Sequence, residues 1–214
     1  DRRFDIGYAG SASIPPVVNI IKHTFPRYRS FWIFHKKSGQ KIWRGVNTNV
    51  RNIKDKLAHL ADTRIAMVHN TLGPILQNPH SYPYLVNHTA LDVAFNESLA
   101  QYYLSTWEFY PVPQIKARMF ESALAGALIV VWRDHHRLIE RFFALDEFVY
   151  FDNEADFQRL VDDILAHPEQ YEPIAKRAYE RVVKDWSSEK MLDTVIMPAV
   201  REVATKHGIV VDPN

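Results

Sequence analysis

The chain has 214 residues, of which 47% are hydrophobic and 24% charged, an ordinary composition for a globular protein with a sizeable core. A formal net charge of +1 excludes a strong overall field that would draw the chain to nucleic acid or to an anionic membrane. The absence of cysteine excludes disulfides and thiolate metal sites, and no apolar run reaches membrane-spanning length. We therefore expect a cytoplasmic domain without a transmembrane segment, and peripheral contact with a membrane remains open.

The first apolar run predicts a buried strand at Phe4–Ala9, which ends at Gly10 and Ser11. A helix should follow and run to about Thr24. A strand, a Gly-Ser turn and a helix mark the place where a Rossmann-like fold brings its backbone against a phosphate or a sugar. Gly10 and Ser11 are therefore candidate ligand-binding residues, and a plain tight turn is the alternative.

Two more buried strands are predicted at Phe31–Phe34 and Ile65–Val68, separated by apolar residues at helical spacing. His69 and Asn70 follow the second of these strands directly. Ligands of open α/β sheets bind beyond the carboxyl ends of the strands, so both residues are weaker candidates for contact with a nucleotide or a sugar. A hydrogen-bonded polar pair that simply ends the strand is the alternative.

The segment from 71 to 113 is irregular, because five prolines interrupt it, and only one helix is predicted there, at about 89–104. His80 and His88 lie in this segment. No carboxylate or third histidine has metal-ligand spacing with them, so we expect loop polarity and no metal site.

The stretch that organises the chain follows at residues 114–134. A helix is predicted from about Ile115 to Ala125, closed by Gly126 and followed by a buried strand at Leu128–Val131. Its first turns carry polar residues that lie at the mouth of the sheet, namely Lys116, Arg118 and Glu121, with Gln114 as a weaker candidate just before them. Helix amino ends attract anions, so the cations suit phosphates and the carboxylate suits sugar hydroxyls. A solvated helix face is the alternative.

The rest of the chain continues the alternation of strands and helices. Predicted elements are a helix at 135–143, a strand at Val149–Phe151, a helix at 155–166 capped by Asp152 or Asn153, a helix from Pro168, and a helix after Ser187 that Pro198 should kink or split. This pattern predicts an α/β fold with a doubly wound parallel sheet. We expect one Rossmann-like domain over 1–214, with residues from about 187 forming C-terminal helices and a tail.

The segment from Arg118 to Val130, RMFESALAGALIV, resembles the R-x-F-E-A-L-A-x-G segment of group 1 glycosyltransferases, closest to the CgeB-like branch. The likeness covers about residues 114–190 and continues more weakly at 5–11 and 63–70. It implies the C-terminal, donor-binding half of a GT-B enzyme, cut from a longer protein that also carries an N-terminal GT-B domain. The implied activity is transfer of a sugar from a nucleotide-diphosphate sugar to a glycan or other acceptor, in polysaccharide biosynthesis, with no cofactor besides the donor.

The resemblance also implies roles for single residues. Glu121 corresponds to the acid that hydrogen-bonds the donor ribose, Lys116 and Arg118 to the basic positions on the diphosphate, and Gly10 with Ser11 to the loop near the phosphates. Many group 1 enzymes carry a second acid eight residues before the ribose acid, where this chain has Pro113, so the catalytic residues stay unassigned. Two other interpretations remain open: a nucleotide-sugar-binding module without catalysis, and a structural α/β interaction domain.

Overall fold

The computed structural model describes residues 2–10, 17, 19–33, 53–72, 112–113, 116–134 and 136–208. Several sequence predictions fall outside these ranges: Ser11, Phe34, Gln114, the two histidines His80 and His88, and the helix at 89–104. The remaining predictions can be compared with the structure directly.

The described strands are, in chain order, β1 (Phe4–Ala9), β2 (Ser30–Ile33), β3 (Thr63–Val68), β4 (Thr71–Leu72), β5 (Val112–Pro113), β6 (Leu128–Trp132) and β7 (Val149–Phe151). Five of them form one sheet in the order β2-β1-β3-β6-β7, and every pairing in it is parallel. The short strands β4 and β5 form a separate antiparallel pair. The predicted parallel α/β sheet is therefore confirmed.

The described α-helices are α1 (Ile53–Ala61), α2 (Ala117–Leu124), α3 (Glu154–Ala166), α4 (Pro168–Asp185), α5 (Ser188–Met191) and α6 (Met197–Lys206). Both faces of the sheet are covered by apolar packing. On one face α3 packs through Phe157 and Val161 against strand residues that include Ile65 and Val130. On the other face α2 packs through Met119 against strand residues that include Ile129. The continuous apolar strands are thus buried on both sides, as a doubly wound sheet requires.

The prediction of a helix at 135–143 is wrong, because the chain forms only a short 3₁₀ turn there, Leu138–Arg141. Asp134 explains the difference, because its carboxylate accepts the backbone N–H of His136 at 2.8 Å. A side chain that binds the following backbone offers the chain an alternative to a helix. Arg137 then enters the turn in the left-handed conformation, with φ 46°.

The C-terminal helices follow the predicted signals closely. Asn153 caps α3 by accepting the N–H of Asp156, and Ser187 caps α5 by accepting the N–H of Lys190. A π-helical turn at Leu192–Ile196 separates α5 from α6, and Pro198 lies in the first turn of α6. A proline is tolerated there because that position lacks an intrahelical N–H partner. None of the described helices combines the length and apolarity needed to cross a bilayer.

Candidate functional site

The candidate site lies at the carboxyl edge of the sheet. Helix α2 enters β6 through a tight turn at Gly126, which has φ 70°, so α2 runs opposite to the strands. Its amino end therefore lies at the same edge as Gly10, which follows β1, and His69 and Asn70, which follow β3. The topology thus brings three of the stretches singled out from the sequence to one edge.

Gly10 and Arg118 are in direct contact. A Cβ atom built on Gly10 would clash with Nη2 of Arg118, and the φ of Gly10 is 143°. The backbone of Gly10 is also fully engaged, because its N–H donates to the carbonyl of Ile33 at 2.7 Å and its carbonyl accepts from Nε1 of Trp32 at 2.8 Å. A glycine is therefore required at position 10, and its close neighbour in this structure is Arg118.

A buried chain of hydrogen bonds holds Arg118 in place. Its guanidinium donates to the phenol oxygen of Tyr8 and lies over the Tyr8 ring, with Cζ 4.8 Å from the ring centroid. The same phenol group is 2.6 Å from Nε2 of His69, and both residues are fully buried. Burial raises the pKa of Tyr8 although Arg118 opposes this, so the phenol keeps a proton that it can donate to His69. His69 thus supports Arg118 indirectly, and its predicted contact with a nucleotide or a sugar remains a prediction.

Lys116 stands at the N-cap position of α2 with an extended backbone, and it makes no capping bond through its side chain. Burial, and then the charge of Arg118, lower the pKa of Lys116 to about 8. Two cations are therefore held near each other at a helix amino end, where the helix dipole adds further positive potential. A bound anion would relieve this repulsion.

Glu121 lies one turn further along α2, and its described ion pair is with Lys56 of α1. The distance from Lys56 Nζ to Glu121 Oε1 is 2.5 Å, and both side chains are about one-fifth exposed, at 22% and 21%. The carboxylate therefore joins α1 to α2 in this structure. Its predicted contact with a ribose remains a prediction, and that contact requires the carboxylate to leave or share Lys56.

Some buried polar groups at this edge have atoms without a hydrogen-bond partner among the described residues. Both amide atoms of Asn70 are in this position, and so is Oδ2 of Asp134, which follows the neighbouring strand β6. Burial raises the pKa of the Asp134 carboxyl, although backbone N–H groups of the following turn counteract this. Buried polar groups without partners are rare in proteins, and each calls for an explanation. A ligand that reaches the carboxyl edge would supply partners.

Sequence reasoning missed Tyr8, Lys56 and Asp134. The strand-end rule that selected Asn70 applies equally to Asp134, which stands two residues beyond β6. A tyrosine inside an apolar strand looks like core, and a single lysine on an amphipathic helix looks like surface, so the other two gave no usable signal. Within the described ranges, no three histidine or carboxylate side chains cluster in a way that could hold a metal ion.

Comparison with known proteins shows which family this chain resembles in sequence. One solved structure similar to this chain is the C-terminal CMP-Kdo binding domain of WaaA from Acinetobacter baumannii, at 10% sequence identity, with 83% of this chain and 88% of that chain covered and a TM-score of 0.44. No curated protein matches significantly. The family described as glycosyl transferase-like matches residues 77–196, a span that includes all of residues 114–190, where the sequence resemblance is strongest. Because this match takes in more than half of the chain, the protein belongs to the glycosyl transferase-like family.

Proposed function

We propose that this chain is the donor-binding half of a GT-B glycosyltransferase and that it holds a nucleotide-diphosphate sugar at the carboxyl edge of its sheet. One observation carries the proposal. The buried Tyr8–His69 pair fixes Arg118 beside Lys116 at the amino end of α2, so two cations lie together at this edge. The sugar would pass to a glycan or other acceptor, with an N-terminal domain of the same longer protein completing the cleft. A cytoplasmic role in polysaccharide biosynthesis, without a cofactor, belongs to the same proposal.

The two cations suit the diphosphate. A nucleoside diphosphate gains negative charge as the sugar departs, and fixed positive groups stabilise that charge without having to reorganise. Arg118 meets this requirement because its hydrogen bond to Tyr8 and its stacking on the ring fix the guanidinium before any ligand arrives. Lys116 has a pKa lowered to about 8 by burial. Phosphate oxygens nearby would raise this pKa again and keep the amine charged.

Asn70 suits the nucleoside part of the donor. An amide offers two donors and an acceptor, which match the polar edge of a base or the hydroxyls of a ribose. In the described part of the chain neither amide atom has a partner, and a buried group in this state costs about 1–3 kcal/mol. A donor that satisfied the amide would recover this free energy on binding.

The residue that performs the chemistry stays unassigned. Pro113 occupies the position of the second acid in many group 1 enzymes, and it pairs through its backbone with Thr71, next to Asn70. A carboxylate is therefore absent at that place in the chain. Asp134 provides a buried carboxylate at the same edge of the sheet, yet its Oδ1 is engaged with the backbone of the following turn.

Binding of nucleotides tests the proposal first. A thermal-shift screen with UDP, GDP, CMP and ADP should find one that stabilises the chain, by about 2.7 kcal/mol at a hundred times its dissociation constant. In calorimetry, Arg118→Ala should lower the affinity for the nucleoside diphosphate more than the affinity for the unphosphorylated nucleoside, because the proposed partner of Arg118 is phosphate. Equal losses for the two ligands, or no binding by the wild type, would contradict the proposal.

The role of Glu121 needs a matched control, because its carboxylate already pairs with Lys56. Glu121→Gln keeps the shape and should lose about 1–3 kcal/mol of donor binding if the carboxylate accepts from a ribose. Lys56→Met removes the same ion pair but frees the carboxylate, so donor binding should stay unchanged or become stronger. Equal effects of the two variants on donor binding would reduce Glu121 to a structural link between α1 and α2.

Transfer itself would separate an enzyme from a binding module. The longer parent protein should release nucleoside diphosphate from the donor identified in the screen when an acceptor glycan is present. Donor binding without turnover in that protein would favour the non-catalytic module, and the absence of any nucleotide binding would favour the structural interaction domain.

A further inference from the structure

A cavity lies at the opposite edge of the sheet, where the strands begin. Its volume is about 490 Å³. It is bordered by Arg2 just before β1, by Arg64 in β3, by the segment from Gly126 to Leu128 that enters β6, and by α4. β1 has six residues, so this cavity lies roughly 20 Å from the carboxyl edge, at about 3.3 Å per residue of strand. It is therefore separate from the proposed donor site.

Helix α4 forms one wall of the cavity. The helix residues that line it recur at three- and four-residue steps, which places them on a single face: Pro168, Tyr171, Glu172, Ala175, Lys176 and Tyr179. Leu128 and Ile164 are buried and give the cavity an apolar floor. The amino end of α4 also lies at the cavity, and its dipole favours negative charge there.

Arg2 is fixed against the backbone in a way that leaves donors free. Its guanidinium donates to the carbonyl of Gly126 at 2.7 Å and to the carbonyl of Thr63. A guanidinium has five N–H donors, so these two bonds hold it and leave others for a ligand. Among the described residues Arg2 forms no ion pair, and its donors are already in position before a ligand binds.

The charges around the cavity do not balance. Arg2, Arg64 and Lys176 line it together with a single carboxylate, Glu172. Lys176 also pairs with Glu180 of the same helix, with Nζ 3.8 Å from Oε1, so the excess positive charge rests on the two arginines. Burial and the neighbouring charge of Arg64 lower the pKa of Arg2, although Asp62 and Glu172 counteract this. A half-buried concave surface with excess positive charge attracts anions, since field lines concentrate where the walls are of low dielectric.

We propose that this cavity binds an organic phosphate, in which a phosphate group is attached to a body the size of a sugar ring. Arg2 and Arg64 would take the phosphate, since the planar guanidinium fork matches phosphate geometry. Tyr171 and Tyr179 would pack against the ring. The volume lies within the roughly 300–1,000 Å³ typical of small-molecule sites. The proposal does not depend on the donor site.

Binding can be tested on the full 214-residue chain with glucose 6-phosphate as the probe. In a nitrogen-15 NMR titration, amide signals of Gly126 and Ala175 should shift, whereas that of Gly10 should not. Glucose without the phosphate should cause no shifts, and inorganic phosphate should bind more weakly than the sugar phosphate. A pattern confined to Gly10 and its surroundings would overturn the proposal, as would equal binding of glucose.

Variants sharpen the test. Arg64→Gln should lower the affinity for glucose 6-phosphate by about tenfold or more, which is the loss expected for one charge-assisted hydrogen bond. Lys176→Gln should weaken it by about threefold, because this side chain is largely exposed and screened by solvent. The matched control is Lys184→Gln, on the same helix but outside the cavity, which should bind like the wild type.

These variants also separate this proposal from the donor site. Arg118→Ala should leave glucose 6-phosphate binding at the cavity unchanged, whatever it does to nucleotides. If Lys184→Gln weakened the probe as much as Lys176→Gln, the attraction would be general charge and the proposed site would be wrong. Because Lys176 is exposed, its replacement tests the site even if Arg64→Gln fails to fold.

Discussion

The two edges of the sheet use the same pairing of residues in different ways. At the carboxyl edge the guanidinium of Arg118 packs on Gly10, and at the amino edge that of Arg2 packs on Gly126; both glycines have positive φ. Arg118 is held by side chains, the Tyr8 phenol and through it His69. Arg2 is held by two backbone carbonyls.

This difference decides how each arginine responds to change. A guanidinium held by carbonyls stays in place as long as the strands and turns keep their positions. A guanidinium held by a buried phenol depends on that one side chain, and the buried partners lose hydrogen bonds with it. The carboxyl edge should therefore be more sensitive to single substitutions, and the following predictions test this from the largest expected effect to the smallest.

Alanine at the three glycines that have positive φ among the described residues should separate the edges most strongly. Gly10→Ala should cost about 2–4 kcal/mol of unfolding free energy, because a strained backbone costs about 1–3 kcal/mol and Arg118 must also move. Gly126→Ala should cost roughly 1–2 kcal/mol, the usual penalty for a left-handed residue, with Cβ at 3.2 Å from Arg2.

Gly208 is the control for this series, because its φ is 67° and a Cβ there would meet nothing within 4 Å. Gly208→Ala should therefore show the backbone penalty alone. Urea unfolding of the three variants gives the comparison. A loss at Gly10 no larger than that at Gly208 would contradict the contact with Arg118.

Removing the Tyr8 phenol should have the next largest effect. Tyr8→Phe should cost about 1–3 kcal/mol, because buried His69 and the Arg118 guanidinium both lose a partner. The matched control is Tyr28→Phe, whose phenol donates to exposed Asp162 at 2.7 Å and should cost less than about 1 kcal/mol. Chemical denaturation of both variants decides the matter, and equal losses would mean that the buried chain adds nothing.

The smallest effect should come from Lys116 and depends on pH. Its pKa in the folded protein, about 8, lies below the ordinary value of 10.5, so the unfolded chain binds more protons between these values. Stability of the wild type should therefore rise as pH increases through that window. Lys116→Gln should be more stable than the wild type at pH 7 by up to about 1 kcal/mol, and this advantage should vanish near pH 10.

Melting curves of both proteins at pH 7 and pH 10 measure this effect. In parallel, the affinity of the wild type for a nucleoside diphosphate should fall as pH rises through about 8, where Lys116 loses its proton. Lys116→Arg should remove that fall, because arginine keeps its charge. A wild-type affinity that is independent of pH would mean that Lys116 does not face the diphosphate.

Much of the fold could be predicted because the signals were local. Strand β1 agrees with its predicted bounds, and the caps at Asn153 and Ser187 agree with theirs. The failure at 135–143 has an equally local cause, since the apolar residues Leu138, Ile139, Phe142 and Phe143 were the whole signal. Three of them are buried and Phe142 is partly buried, but a turn capped by Asp134 packs them without a helix.

The candidate site could be predicted only in part. Strand ends and a helix amino end are visible in a sequence, which is why Gly10, Asn70, Lys116 and Arg118 could be selected. Their partners are not visible, because Tyr8 and Arg118 are 110 residues apart and Lys56 and Glu121 are 65 apart. Periodicity and spacing carry no information about such contacts.

The sequence by itself determined which segments are buried, the direction of the sheet, and the edge at which its polar residues collect. These properties follow from local periodicity and from the short connections between strands and helices. Only the tertiary structure decided that Gly10 makes room for an arginine, that Glu121 pairs with Lys56, and that Arg2 and Arg64 border a cavity beneath α4. Such contacts depend on how distant segments pack, because the position of a charged group is set by the neighbours that satisfy it.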